Sequence, residues 1–368
     1  MYIRVENTNR NSLLDLSKST IQTAIFVAKN VSDMSCFLSC SIVLRPAGCF
    51  FCDLKKSTLW RRTLQYKTLV ASLSEEGKSI QRPQVQWYPG HIAKAERALK
   101  DKLKLVDVVV EVRDARIPKS TEHPELYSWL GGKKRLVVLN RRDMVPQEAI
   151  SAWIKSIKQQ GFEVFDTNAK LGNGIQRLRK ALIFCGDAIN ERRRAKRLLP
   201  RSVRCMVIGY PNVGKSALIN RLVNRAVAKS QNRPGVTRIF QWVQVSDKLQ
   251  LLDSPGIIPP KLVSQSSAEK LAFCNDIGSG SYDNQVVASA LLDCIQDLGT
   301  NRLQDHCLTR FKERFSVELL KHSGELLLEM ISRKHFSNDK EKAAQKILSE
   351  FRQGLWGPLC LEWCESEL

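Results

Sequence analysis

The chain has 368 residues, enough for two or three domains with buried cores, and it contains no run of 18 uninterrupted apolar residues, which argues against a membrane span. Its formal net charge at pH 7 is +21, and residues 81–240 carry 33 Lys and Arg against 13 Asp and Glu, whereas residues 300–368 carry 11 of each. A positive charge concentrated in this way favours a nucleic acid as partner, and the alternative is a basic surface that only confers solubility.

Residues 1–80 show no sustained hydrophobic periodicity and are rich in Ser and Thr. They carry 11 Lys and Arg against 6 Asp and Glu, which is compatible with an organelle transit peptide followed by a largely disordered spacer. The acidic residues Glu6, Asp15 and Asp33 weaken this interpretation because transit peptides are poor in acids. An arbitrary disordered extension is therefore the alternative.

From about residue 85 onward, apolar runs of strand length alternate with amphipathic runs of helical length. The predicted strands are 106–112, 136–139, 163–166, 205–208, 241–245 and 250–252, and the last two form an antiparallel pair. The predicted helices are 92–105, 147–160, 175–189 and 217–223, with further helical segments within 268–299 and amphipathic helices at 311–320, 325–331 and 342–351. This order predicts an α/β fold with a doubly wound sheet over residues 81–300, followed by a small all-helical domain over residues 301–368.

The chain is organised around residues 209–216, which read G-x-x-x-x-G-K-S between a predicted strand and a predicted helix. This is the context of a phosphate-binding loop, in which backbone N–H groups surround a phosphate at a helix N-terminus. Lys215 would reach the β- and γ-phosphates, and Ser216 would offer its hydroxyl to Mg²⁺. The residues expected to bind the nucleotide here are Asn212, Val213, Gly214, Lys215, Ser216 and Ala217.

Two segments before this loop favour a guanine base. In Asn140-x-x-Asp143 the carboxylate can accept hydrogen bonds from guanine N1–H and its 2-amino group, which adenine cannot offer. Asn140 can bond the purine edge and brace the loop, while residues 167–170 (T-N-A-K) would give guanine O6 a backbone N–H. The residues of these two segments predicted to bind the nucleotide are Asn140, Arg141, Asp143, Asn168, Ala169 and Lys170.

A third segment follows the loop. Asp253-x-x-Gly256 supplies a carboxylate for the Mg²⁺ shell and a glycine N–H for the γ-phosphate, and Thr237 would close on the metal when the γ-phosphate is present. The predicted metal ligands are therefore Ser216, Thr237 and Asp253. Because each short motif lies at the end of a predicted strand or in a loop beside the site, a GTPase is favoured over a generic ATPase.

The order of these segments is unusual, because in ordinary small GTPases the phosphate loop comes first and the guanine-reading loops come last. Here the guanine readers precede the phosphate loop. The same pocket can still form, because the change affects only how the strands are connected along the chain. One consequence is that the switch segment 253–256 leads directly into the C-terminal domain, so loss of the γ-phosphate could move that domain.

The motifs at 87–91 (W-Y-P-G-H), 111–118 (E-V-R-D-A-R-I-P), 209–216, 233–238 (R-P-G-V-T-R) and 252–256 (L-D-S-P-G) resemble those of the circularly permuted ribosome-assembly GTPases of the YlqF/RbgA type, and most closely the chloroplastic plant DAR GTPases. The resemblance implies GTP hydrolysis coupled to maturation of the large ribosomal subunit, with the helical domain contacting rRNA. It also implies stimulation by potassium through Asn212, a monomer away from the ribosome, and residence in the chloroplast stroma, with the mitochondrion as alternative.

Two features bear on GTP affinity and on the rate of hydrolysis. The family's guanine loop usually has Lys where this chain has Arg141. Because that Lys packs over the phosphate loop more than it reads the base, the resemblance implies an altered GTP affinity with Arg. Ras-like enzymes orient the attacking water with a Gln after D-x-x-G, and here Ile257 takes that place, so intrinsic hydrolysis should be slow. The resemblance points to His91 as the catalytic group, although His91 could instead cap the helix that follows it.

Three further points stay open at this level. Asp114 and Arg116 line the edge of the site or stabilise a strand end. The basic run 191–197 contacts rRNA phosphates or forms a solvated helix face. The chain acts as a hydrolysis-driven switch on the large subunit, or as a GTP-dependent RNA-binding scaffold in which hydrolysis is incidental. A tRNA-modifying enzyme would need an additional reactive centre, and the sequence offers no convincing Cys, His or metal constellation for one.

Overall fold

The computed structural model describes residues 90–226, 240–259, 264–299 and 305–364. Six strands in these ranges form one sheet with the order β3-β2-β1-β4-β6-β5. The strands are β1 Val108–Asp114, β2 Lys134–Asn140, β3 Glu163–Thr167, β4 Val203–Ile208, β5 Gln241–Ser246 and β6 Leu249–Asp253. All neighbours pair in parallel except β5 and β6, which are antiparallel as predicted.

Ten α-helices occur in the same ranges. They are α1 Gly90–Leu103, α2 Leu126–Trp129, α3 Gln147–Gln159, α4 Ile175–Ala195, α5 Lys215–Val223, α6 Gln265–Phe273, α7 Asn284–Asp297, α8 Asp305–Phe315, α9 Gly324–His335 and α10 Lys340–Gln353. None of these helices is long and apolar enough to cross a membrane.

The sheet is covered on both faces, and the alternation of side chains along β1 explains how. All seven residues of β1 are buried. Val108, Val110 and Val112 belong to the hydrophobic cluster that includes α4 and α5, whereas Val109 points to the opposite face and packs with Leu99 of α1. A strand buried on both faces reads as a continuous apolar run, which is why the sequence identified it. The doubly wound α/β fold is confirmed.

The helical part is continuous with the sheet. Helix α7 packs against α6, α9 and α10, and Ile347 and Phe351 of α10 belong to the same hydrophobic cluster as the valines of β1. The boundary predicted at residues 300 and 301 stays a prediction. Within the described ranges, α6 and α7 already pack with the helices that follow residue 301.

The last described residues return to the sheet domain. The carboxylate of Glu362 accepts hydrogen bonds from the backbone N–H groups of Lys119 and Ser120, at 2.7 and 3.0 Å, and its backbone carbonyl accepts one from Nε1 of Trp153 at 2.7 Å. The N–H of Leu361 donates to the carbonyl of Arg116 at 2.9 Å. These bonds attach the C-terminal segment to the loop that follows β1.

Two predicted helix bounds differ from the structure. Helix α4 continues to Ala195 and so includes most of the basic run, because the charged residues after residue 189 are good helix formers on an exposed surface. The helix predicted at 311–320 instead spans Asp305–Phe315. It ends there because Ser316 adopts a left-handed conformation with φ of 55°, after which a separate 3₁₀ turn forms at Leu319–Lys321.

Candidate functional site

The predicted nucleotide-binding segments meet at one edge of the sheet, because parallel strands place their carboxyl ends side by side. In the strand register Asp114 is opposite Asn140, Asn140 is opposite Thr167, and Val207 is opposite Asp253. Strand β4, which leads into the phosphate loop, lies in the middle of the sheet between β1 and β6. The unusual order along the chain therefore does not separate the segments in space.

The phosphate loop approaches its neighbours so closely that its glycines leave no room for a side chain. A Cβ on Gly209 would lie 2.3 Å from the carbonyl oxygen of Val112, and one on Gly214 would lie 2.2 Å from Nδ2 of Asn140. Gly214 also has φ of 99°, which favours glycine, and helix α5 begins at the next residue. The loop thus ends at a helix N-terminus, whose free N–H groups suit an anion.

The ammonium group of Lys215 lies inside this loop. Its Nζ donates to the carbonyl oxygens of Gly209 and Tyr210 at 3.1 and 2.7 Å. Burial lowers the pKa of Lys215 to about 8, partly opposed by the negative charge of Asp253 and Asp276. A phosphate at the loop would supply the counter-charge that this buried cation lacks.

The side chain of Asn140 connects three segments of the site. Its Nδ2 donates to the carbonyl oxygen of Val213 in the phosphate loop at 2.8 Å. Its Oδ1 accepts from the backbone N–H of Ala169 at 3.0 Å and from the hydroxyl of Thr167 at 3.3 Å. The buried side chain of Asn140 thus braces the phosphate loop and the segment 167–170 through hydrogen bonds.

The segment 167–170 is also held by a residue that sequence reasoning missed. Arg221, in α5, donates from Nη2 to the carbonyl oxygen of Lys170 and from Nε to that of Ala169, the latter at 3.4 Å. Oδ1 of Asn168 accepts from the backbone N–H of Lys170 at 2.9 Å, whereas its buried Nδ2 has no partner in the described structure. The backbone N–H groups of Ala169 and Lys170 therefore have acceptors within the protein.

Asp143 and Arg141 lie in the same loop but have different surroundings. The Asp143 side chain is exposed, in a short 3₁₀ turn over Arg142–Met144, and so is accessible to a ligand. Arg141 has φ of 65° and donates from Nη2 to the carbonyl oxygen of Asn212 at 2.7 Å, while its Nε lies 3.5 Å from Oδ2 of Asp114. Arg141 thus contacts the phosphate loop, as expected for the family's lysine.

Ser216 and Asp253 meet where a magnesium ion is expected. The hydroxyl of Ser216 donates to Oδ2 of Asp253 at 3.1 Å, and the buried Oδ1 of Asp253 has no hydrogen-bond partner among the described residues. Burial raises the pKa of Asp253. A hydroxyl beside a buried carboxylate with a spare oxygen fits the oxygen-ligand preference of Mg²⁺. A Cβ on Gly256 would lie 2.6 Å from Cα of Pro211, so the switch segment lies against the phosphate loop.

Two predicted site residues cannot be placed. Thr237 falls in residues 227–239, outside the described residues. His91 lies in the first turn of α1, whose described side chains begin at Glu96, so its side chain is outside the described part of the chain.

Asp114 and Arg116 form a buried ion pair. Arg116 donates from Nε and Nη2 to the two oxygens of Asp114 at 3.0 and 2.7 Å. Both side chains are almost fully buried. This pair stabilises the loop after β1, and it contacts Arg141 through Asp114.

Beside this pair lies a buried carboxylate that no sequence motif indicated. Asp276, just after α6, is fully buried, and neither of its side-chain oxygens has a hydrogen-bond partner among the described residues. Burial, followed by the negative charge of Asp114, raises the pKa of Asp276 to about 8. The thiol of Cys274 lies within 4.8 Å of both carboxylates. The cationic groups that oppose this shift are those of Arg141, Arg116 and Lys215.

The chain is similar to several known proteins. Residues 204–314 match the family model described as 50S ribosome-binding GTPase. The chain is 34% identical over 284 residues to Ribosome biogenesis GTPase A of Bacillus cereus, which covers 76% of this chain and 93% of that protein. It is 30% identical to Mitochondrial ribosome-associated GTPase 1 of Bos taurus, over 78% of this chain and 90% of that one. GNP-bound YlqF from T. maritima superposes with a TM-score of 0.51 at 25% identity, over 74% and 99% of the two chains.

The raised pKa of Asp276 predicts a specific pH dependence of stability. Between the ordinary value of 3.8 and about 8, the folded protein holds a proton that the unfolded chain has lost. Because Asp276 ionises in the unfolded chain but not in the folded protein, rising pH in this window favours unfolding. Relative to Asp276→Asn, the free energy of unfolding of the wild type should fall with pH, by up to about 1.4 kcal/mol per pH unit.

Urea denaturation of the nucleotide-free protein at several pH values between about 5 and about 8 would measure this difference. Identical pH profiles for the wild type and Asp276→Asn would show that the carboxyl group does not titrate in this range.

Proposed function

Because the chain belongs to the YlqF/RbgA-type ribosome biogenesis GTPase family and is a GTP-hydrolysing enzyme, we propose that it is a switch that binds an assembling large ribosomal subunit in an organelle and leaves after hydrolysis. The description of the matching family model, 50S ribosome-binding GTPase, supports the large subunit as partner. The mitochondrial name of the bovine relative supports the mitochondrion. Residence in the chloroplast rests on the sequence resemblance alone.

The observation that carries the proposal is the hydrogen bonding of Asn140, which connects the phosphate loop to the predicted guanine-reading segment. These two segments are the ones that a guanine nucleotide must bridge. With Lys215 at the phosphates, Asp143 accepts from guanine N1–H and the 2-amino group. The buried Nδ2 of Asn168, which lacks a partner among the described residues, is a donor suited to guanine O6.

Ser216 and Asp253 would hold Mg²⁺, with Thr237 as the third predicted ligand. The ion would neutralise charge that develops on the β- and γ-phosphates. Asn212 is the residue proposed for potassium. Its Nδ2 is bonded to the carbonyl oxygen of Asn275 at 2.6 Å, so that Oδ1 is the atom left to bind a cation.

Hydrolysis needs a group that orients water, and the residue after D-x-x-G cannot provide it. Ile257 is buried and apolar, and its backbone N–H donates to the carbonyl of Gly209 at 3.2 Å. We therefore assign the orienting group to His91, carried by the segment that enters α1. Subunit binding would bring this segment to the γ-phosphate, so turnover without the partner should be slow.

The exposed end of α4 is proposed to contact rRNA. Arg192 and Arg194 are exposed, whereas Arg193 is partly buried and donates from Nε to the carbonyl oxygen of Leu199 at 3.0 Å. The helix thus presents two exposed guanidinium groups, while the arginine between them bonds to the chain that follows the helix. The helical C-terminal part is the second proposed rRNA contact.

Replacement of Asp143 by Ala should abolish discrimination between guanine and adenine. Two hydrogen bonds to a charged acceptor are lost, so GTP affinity should fall by about 100-fold or more, while weak ATP binding is unchanged. Titration with fluorescent analogues of both nucleotides measures the effect. Glu148→Ala, five positions on at the exposed start of α3, is the control and should bind GTP normally. Retained GTP preference in Asp143→Ala would contradict the assignment.

Replacement of His91 by Ala should separate binding from hydrolysis. Subunit-stimulated turnover should fall by about 100-fold or more, the range for a positioned acid–base group, with GTP affinity unchanged. The variant should stay on the subunit with GTP, as the wild type does with a non-hydrolysable analogue. Unchanged turnover would remove His91 from the mechanism, and joint loss of affinity would make its role structural. Release of the wild type with the analogue would favour the scaffold function.

Neutralisation of Arg192 and Arg194 to Gln should weaken subunit binding and flatten its dependence on salt, because each phosphate contact contributes to the salt slope. Sedimentation with purified large subunits at several salt concentrations gives that slope. The double change of Lys155 and Lys158 to Gln, on the exposed face of α3, removes the same charge elsewhere. An equal effect of both double variants would mean that only net charge matters.

A further inference from the structure

The turn that follows α6 lies directly against the phosphate loop. Nδ2 of Asn212 donates to the backbone carbonyl of Asn275 at 2.6 Å, which makes this turn the support for the middle of the loop. Asn212 itself has a left-handed conformation, with φ of 55°, and its own carbonyl is bonded to Arg141. A residue in this conformation is held by its partners rather than by its intrinsic preference.

The turn is tightly closed. The backbone N–H groups of Cys274, Asn275 and Asp276 donate back to carbonyl oxygens of Lys270, Ala272 and Leu271, at 3.1, 3.1 and 2.8 Å. Asn275 has φ of 64°, the left-handed conformation that commonly ends a helix. The direction of its carbonyl, and hence the position of Asn212, depends on this backbone arrangement.

A side chain from the last helix fixes the same turn from the other side. Arg352, in the last turn of α10, donates from Nε to the carbonyl of Phe273 at 2.9 Å and from Nη2 to the carbonyl of Ala272 at 2.8 Å and the hydroxyl of Tyr282 at 3.0 Å. The last carbonyls of a helix lack partners within the helix and carry partial negative charge, so a guanidinium group stabilises them. Arg352 is therefore the C-terminal cap of α6.

The end of α10 also reaches the guanine-reading loop. Gly354 ends the helix, and a Cβ at this glycine would lie 3.1 Å from Cε of Met144, the neighbour of Asp143. Five residues later the N–H of Leu359 donates to the carbonyl of Met144 at 2.8 Å. The end of α10 and the residues that follow it thus contact both the turn that supports the phosphate loop and the loop that carries Asp143.

We propose that Arg352 is a positioning residue for nucleotide retention: by fixing the turn 272–276 it holds Asn212, and with it the phosphate loop, in the conformation that binds GDP and GTP. The helical part then controls how fast nucleotide leaves the pocket, and a partner that displaces α10 would accelerate exchange. This role is separate from the proposed rRNA contact, because it concerns the isolated protein.

The test is the release rate of a fluorescent GDP analogue from the full chain, measured by stopped flow with excess unlabelled GDP. Arg352→Met keeps the length of the side chain and removes its donors, and it should accelerate release by about fivefold or more, the effect of about one net hydrogen bond. Arg352→Lys retains a positive donor and should give an intermediate rate.

A matched control is an arginine that bonds to the same helix α10. Arg314 of α8 donates to the buried carboxylate of Glu350 in α10 through Nε and Nη2, at 2.5 and 2.7 Å, with no contact to the turn. Arg314→Met should lower the melting temperature, as a loss of support for α10 must, without changing GDP release. Equal acceleration by Arg314→Met and Arg352→Met would reduce the effect to general destabilisation and overturn the proposal.

A second pair of variants tests the turn without changing Arg352. Glycine accepts the conformation of Asn275 and alanine does not, while both remove the side chain. Asn275→Ala should therefore release GDP faster than Asn275→Gly. Equal release rates in this pair, or a wild-type rate in Arg352→Met, would show that the turn does not control the phosphate loop. Since no ribosome is present, these outcomes are independent of the proposed subunit function.

Discussion

The nucleotide site depends on the side-chain amide of Asn140. One donor and one acceptor at the end of β2 hold the carbonyl of Val213 in the phosphate loop and, in the segment 167–170, the N–H of Ala169 and the hydroxyl of Thr167. Because this amide is buried, each of these bonds would leave an unsatisfied polar group if it were broken. The loops are thereby fixed relative to one another before a ligand arrives, so less of the binding free energy is spent on ordering them.

This arrangement also explains why the permuted order of the motifs is tolerated. A parallel sheet brings the carboxyl ends of its strands to one edge whatever the order of the strands along the chain. What changes is the connection. The switch segment at Asp253 now continues into α6, and the turn at the end of α6 supports the phosphate loop through Asn275. Because of the permuted connection, both the switch segment 253–256 and the turn that ends α6 contact the phosphate loop.

Among the described residues, the helical part is attached to the sheet domain by polar contacts at several points. Glu362 caps the loop after β1, Leu359 bonds to the loop that carries Asp143, and Arg352 caps α6. These contacts connect the helical part, which is the second proposed rRNA contact, directly to loops beside the nucleotide site.

The sequence by itself determined the sheet, the phosphate loop and the predicted guanine readers, because each is encoded locally: strands such as β1 read as continuous apolar runs, and Lys215 and Asp143 lie in short motifs of fixed spacing. It did not indicate Arg221, Asn275, Asp276 or Arg352. Arg221 and Arg352 donate to backbone carbonyls, Asn275 accepts through its own carbonyl, and Asp276 is a buried carboxylate. Every residue has a backbone carbonyl, so the residue type does not reveal which carbonyl a distant side chain will bond. Only the tertiary structure decided that Arg352 bonds to the carbonyls of Phe273 and Ala272, which lie 79 and 80 positions earlier in the chain. Packing, rather than a local sequence pattern, brings such distant segments together.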